Sequence, residues 1–145
     1  MSQVTIKWVE KLQFVGTDST KHSVVLSAPN EENGTGMKPG ELLLVSLGSC
    51  TAYDVANILQ KQRKQLHDLR IEVSSKSQEH SPWAYTHIHL HYIVVGEGIS
   101  ERDVAKAIHL SHEKYCSVSA TLRAAVEITH DYKVLQPGET PGQLN

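Results

Sequence analysis

The sequence predicts an α+β fold, an antiparallel sheet combined with one long, buried central helix. Two observations carry this. Short segments of strand-like alternation follow one another at hairpin distances, and the element order reads β-β-β-α-β-β-α-α-β, without the repeated βαβ of a parallel fold. In addition, the segment that begins at Pro39 is apolar on nearly every side, unlike the single stripe of a surface helix. With 145 residues the chain has the length of one domain. We place that domain at residues 1–135 and expect 136–145 (QPGETPGQLN) to be a loose tail.

Val4, Ile6 and Trp8 share one face of a first strand, with Thr5, Lys7 and Val9 on the other. Leu12 and Phe14 mark a second strand, and Gly16, Asp18 and Ser19 supply turn chemistry. Val24 to Leu26 form a third strand that ends before Pro29, and the aperiodic stretch from Asn30 to Gly36 reads as a loop. Pro39 suits a first helical turn, where its missing N–H costs nothing. The helix then carries Leu42, Leu43, Leu44, Val45, Leu47, Cys50, Val55, Ile58 and Leu59, and ends in Lys61, Arg63 and Lys64, cations matched to the negative end of its dipole. One sheet covers only one side of such a helix, so a second copy of the chain is the expected source of further cover.

Leu69 to Val73 and Tyr85 to Val95 are the next strands. Ser100 opens a helix with Asp103 three positions later, as in a capping box, and Val104, Ala107, Ile108 and Ser111 give it one stripe. It is expected to run to about Tyr115, followed by a short helix from Ser117 to Ala125 and a last strand from Val126 to Leu135.

Composition narrows the function. Fourteen Lys and Arg against sixteen Asp and Glu give a net charge of −2, without the basic excess of a duplex-binding protein, so no nucleic-acid partner is expected. The longest apolar run is four residues, Leu42 to Val45, and the N-terminus has no apolar leader. No membrane partner and a cytoplasmic location are the expectations. There is no GxSxG, HExxH, phosphate-cradling loop or dinucleotide fingerprint.

Two cysteines, Cys50 and Cys116, rule out a disulfide framework or a four-thiolate zinc site. Cys50 lies inside the apolar helix beside the small residues Gly48, Ser49 and Thr51, and Cys116 lies at a helix junction. Buried cysteine serves either as an apolar filler or as a redox thiol paired with a resolving partner, and the residues alone leave both readings open. A reactive thiolate needs a cation close by. The first arginine in the chain is Arg63, thirteen residues past Cys50 and about 20 Å along the helix. The three opening strands carry only Lys7, Lys11 and Lys21.

The helix PGELLLVSLGSCTAYDVANILQKQR and the later EKYCSVSATLRAAVEITHDYKV resemble the OsmC/Ohr family of osmotically inducible and organic-hydroperoxide-resistance proteins. THIHLHYIVVG, EKYCS and ITH look closest to its YhfA-like branch. The resemblance covers about residues 2–135. It implies an intertwined homodimer, two sheets around two central helices and active sites at the subunit interface. It also implies a peroxidatic role for Cys50, a resolving role for Cys116, and reduction by a dithiol such as a lipoylated protein. The family arginine belongs on the N-terminal strands, where this chain has none, and the family glutamate falls on Gly40. Glu41, one position later, is the candidate in its place, with Lys38 or Lys21 as substitute cations. The expected substrate is an organic hydroperoxide, with a non-catalytic protein that binds a small apolar ligand as the alternative. No cofactor or metal is expected.

Three further features bear on function. His87, His89 and His91 project from one face of a strand, with Ile88, Leu90 and Tyr92 toward the core. They form a polar strand face, or a chelating pattern for which no acidic or thiol ligand of matching spacing closes the set. His109 and His112, one turn before Cys116, are a helix edge or a base for that thiol. Asp54, four residues after Cys50, is read as structural, since a carboxylate beside a thiol disfavours the thiolate.

Overall fold

A computed structural model describes residues 2–30 and 32–139. The outer part of the expected C-terminal tail, 140–145, lies outside them. The elements are β1 (Thr5–Glu10), β2 (Gln13–Thr17), β3 (Ser23–Ser27), α1 (Pro39–Lys61), β4 (Gln65–Ser77), β5 (Tyr85–Glu97), α2 (Glu101–Leu110), a π-helical turn (Ser111–Tyr115), α3 (Ser117–Leu122) and β6 (Glu127–Leu135). They group into two compact units that divide between Leu44 and Val45.

In the first unit β1, β2 and β3 form an antiparallel meander, with Phe14 opposite Trp8 on one side and Leu26 on the other. The loop after β3 returns to it, because Met37 N–H donates to Val25 O at 2.9 Å and Met37 O accepts from Ser27 N–H at 3.2 Å. Much of this apolar surface faces solvent in the single chain, with Trp8 61% and Ile6 59% exposed.

In the second unit the sheet order is β4-β5-β6. The expected antiparallel pairing holds for β4 with β5, but β5 and β6 run parallel. The connection explains the difference. A parallel pair needs a crossover of a dozen or more residues, and α2, the π-turn and α3 supply it. The strand face expected to point inward does so, since Ile88, Leu90 and Tyr92 are fully buried.

Along α1, Leu47, Gly48, Thr51, Val55 and Leu59 are buried at helical spacing. Gly48 is required by the approach of the sheet, because a Cβ there would stand 3.0 Å from Val73 Cγ2 on β4. The opposite side is open within one chain, with Tyr53 71% and Val45 47% exposed. By length and composition alone α1 could also cross a membrane, although serine and glycine interrupt its apolar runs. The helix stops with Arg63 in the left-handed region at φ 58°.

The capping box at α2 forms as expected: Ser100 Oγ accepts from Asp103 N–H at 3.1 Å, and Asp103 accepts from Ser100 N–H at 2.9 Å. The expected continuous helix to Tyr115 instead ends at Leu110 and widens into the π-turn, closed by Cys116 N–H donating to Ser111 O at 2.8 Å.

Replacing the fully buried Leu59 by alanine should cost about 2–5 kcal/mol and Ser100→Ala about 1 kcal/mol. Urea unfolding of the two variants at neutral pH checks that order, which reverses if α1 is not held against the sheet.

Candidate functional site

The second unit brings both cysteines together. Cys50, on α1, is half-buried and Cys116, between the π-turn and α3, is buried, and both are free thiols. Their sulfurs and a carboxylate oxygen of Asp54 all lie within 4.8 Å of one another. Cys50 and Asp54 are four residues apart in α1 and so share a face. Cys116 is the N-cap of α3, and its Sγ accepts from Ser119 N–H at 3.3 Å.

A line of buried polar groups holds this arrangement. Ser111 Oγ reaches Asp54 Oδ2 at 2.8 Å and Thr51 Oγ1 at 2.9 Å, and its single proton serves one of them at a time. Thr51 Oγ1 bonds the Tyr92 hydroxyl at 2.7 Å. That hydroxyl also meets His112 Nε2 at 3.3 Å, while His112 Nδ1 meets Ser119 Oγ at 2.8 Å. The His112 ring stacks on His130, with centroids 5.2 Å apart, and Arg123 Nη1 donates to the His112 carbonyl at 3.0 Å. Among the described residues no buried side-chain nitrogen or oxygen lacks a partner.

These surroundings favour neutral forms. Burial, and then the adjoining Cys50 thiol, push the Cys116 thiol up to about 11, against the smaller opposing effect of the Ser119 N–H. Burial lifts Tyr92 to about 12 despite its bond to Thr51. Burial first and the neighbouring His130 second hold His112 below the usual histidine range, and burial and then His89 do the same for His130.

Thr51, Tyr92, Ser111 and Ser119 escape a search for catalytic residue types. Two of the four carry a signal: Tyr92, on a core face, needs a hydroxyl partner, and Ser111 interrupts an otherwise apolar stripe. His112 bonds Tyr92 and Ser119 rather than either sulfur, so it is joined to the thiol site only through these groups. Asp54 has its bond within the chain, to Ser111. Glu41 lies in the first unit and pairs with Lys38 at 3.1 Å, both about half exposed. The strand histidines do meet carboxylates, which β6 supplies: His87 pairs with Glu127 at 2.8 Å, and His89 and His91 with Asp131 at 3.1 and 2.6 Å. The parallel β5–β6 register creates these pairs, and a spacing search within one strand cannot reach them.

Residues 31–131 match the family model described as OsmC-like protein. The chain belongs to the OsmC-like family. It is 40% identical over 133 residues to Protein YhfA of Escherichia coli K12, covering 92% of this chain and 98% of that one. A hypothetical protein from Aquifex aeolicus VF5 has 32% identity and a TM-score of 0.79 over 92% of this chain and 97% of its own. The organic hydroperoxide resistance protein OhrB of Bacillus subtilis, at 17% identity, 92% and 98% coverage and a TM-score of 0.62, shares the fold. The α+β architecture with a long central helix is thus the OsmC-like one.

Because His112 and His130 are held below the unfolded value of about 6.5, the folded state binds fewer protons there than the unfolded chain. Their contribution is fully present above about pH 6.5 and is lost as pH falls below it toward the lowered folded values. Unfolding free energy should therefore decline from pH 7 to about pH 5, and less steeply in His112→Gln and His130→Gln. Equal slopes in all three proteins would contradict these environments.

Proposed function

We propose that this OsmC-like protein is a thiol-dependent hydroperoxide reductase with an organic hydroperoxide as substrate. The observation that carries the reading is the placement of two free thiols, from α1 and from the α3 N-cap, within 4.8 Å of each other. In the proposed cycle the Cys50 thiolate attacks the peroxide and leaves as the sulfenic acid, while the alkoxide takes a proton and departs as alcohol. Cys116 then attacks the sulfenic sulfur, and its own proton leaves with the hydroxide as water. Sulfur–sulfur separation must close from at most 4.8 Å to about 2.05 Å, within reach of side-chain rotation. A dithiol, such as a lipoylated protein, restores both thiols by exchange.

The chain is further proposed to act as a cytoplasmic homodimer in the response to oxidative stress. The uncovered side of α1, with Tyr53 and Val45, and the exposed Trp8 and Ile6 of the first unit support the dimer. Glu41, Lys38 and Lys21 are the proposed substitutes for the glutamate and arginine of the family pattern.

A second reading, a dimeric small-molecule-binding protein without catalysis, is favoured by the charge around the thiols. Among the described residues Asp54 forms no ion pair with lysine or arginine, and Cys116 is held as a thiol.

Cumene hydroperoxide added to reduced protein should consume both thiols of each chain. Cys50→Ser should abolish turnover, and Cys116→Ser should stop after one equivalent with Cys50 as a sulfenic acid. Undiminished turnover in Cys50→Ser, or no thiol loss in the unchanged chain, would overturn the assignment.

A further inference from the structure

We propose that the reduced thiol pair and Asp54 together form a binding site for a thiophilic divalent cation, with Zn²⁺ as the ion that fits. Three ligand atoms of the right types converge: Cys50 Sγ, Cys116 Sγ and an Asp54 carboxylate oxygen, all within 4.8 Å of one another. Zinc at about 2.3 Å from sulfur and about 2.0–2.2 Å from a carboxylate oxygen sets ligand separations of roughly 3.5–3.8 Å in a tetrahedron. From separations of up to 4.8 Å the side chains need to close by at most about 1.3 Å.

The ligands are supported as metal ligands usually are. Ser111 holds Asp54 Oδ2 at 2.8 Å, which leaves Oδ1 for an ion, and Ser119 N–H points at Cys116 Sγ from 3.3 Å. Neither nitrogen of His112 is spare, because one meets Tyr92 and the other Ser119. The set is therefore two sulfurs and one oxygen, with a fourth position left to water or a ligand, the pattern of an open zinc site. Two thiolates disfavour Mg²⁺ and Ca²⁺, which take oxygen ligands. Two thiols that lose their protons on binding lie beside a carboxylate, with no lysine or arginine ion-paired to Asp54 among the described residues. A dication neutralises most of that charge.

Binding is a ligand exchange without electron transfer. Two S–H bonds are lost, two S–Zn bonds form, and two protons go to solvent. The metal occupies the sulfurs that disulfide formation consumes, so the site exists only in the reduced chain. This inference does not require catalysis.

Reduced, metal-free protein should be titrated with Co²⁺ and then Zn²⁺. One Co²⁺ per chain is expected, with the visible bands of tetrahedral cobalt and a near-ultraviolet sulfur-to-cobalt band of two-thiolate intensity, all displaced by Zn²⁺. The same chain oxidised to the disulfide should bind none, a control that needs no substitution. Asp54→Asn should bind roughly tenfold more weakly or worse, and Ser111→Ala about ten- to a hundredfold more weakly. Equal binding by the oxidised and reduced chain, absence of the sulfur-to-cobalt band, or unchanged affinity in Asp54→Asn would overturn the proposal. Peroxide turnover by the metal-free protein is read separately. Turnover without Co²⁺ binding defeats this inference alone, and Co²⁺ binding without turnover defeats the reductase reading alone.

Discussion

The geometry of the thiol site depends on one buried polar junction, where Ser111 meets Thr51 and Asp54 while Thr51 meets Tyr92. Thr51, Tyr92 and Ser111 have no solvent exposure, so each hydroxyl must find its partner inside the protein. Leaving one of them unpaired costs about 1–3 kcal/mol, which makes the set of bonds strongly selective for one arrangement of α1, β5 and the π-turn. Cys50 directly precedes Thr51, and Cys116 closes the turn that Ser111 begins. The hydroxyl pairing thus helps to set the sulfur separation, beside the direct contact of Cys116 with the Cys50 thiol. The π-turn matters for the same reason. Its wider ring shifts the chain so that Ser111 faces α1 while Cys116 can still cap α3.

Electrostatically the site is crowded with groups that become negative. Burial and the adjoining thiol keep Cys116 protonated, which suits the proton it would deliver in the proposed cycle when the sulfenic hydroxide departs. The opening strands and the turns between them hold Lys7, Lys11 and Lys21 and no arginine, and a lysine cannot reproduce the planar two-pronged donor that arginine presents.

Much of the fold was legible because it rests on local periodicity and capping. Pro39, the alternation through Ile88, Leu90 and Tyr92, and the Ser100–Asp103 box mark their elements without reference to the rest of the chain. The parallel β5–β6 pairing was not legible, because strand direction depends on how a crossover packs and not on the strand's own pattern. The cysteines could be singled out as a pair, with the family resemblance supplying their roles. The residues that position them could not be found by residue type, since a threonine, a tyrosine and two serines carry no catalytic signature. Asp54 reads as structural from its spacing alone; its place beside both sulfurs appears only when the π-turn brings Cys116 to the face of α1 that Cys50 and Asp54 share.

In the proposed reductase the two sulfurs of one chain form a working pair. Peptide mapping by mass spectrometry after one equivalent of cumene hydroperoxide per reduced chain tests it most directly. The expected product is a Cys50 peptide joined to a Cys116 peptide by a disulfide within a single chain. Over-oxidised Cys50 beside untouched Cys116, or disulfides only between chains, would contradict it.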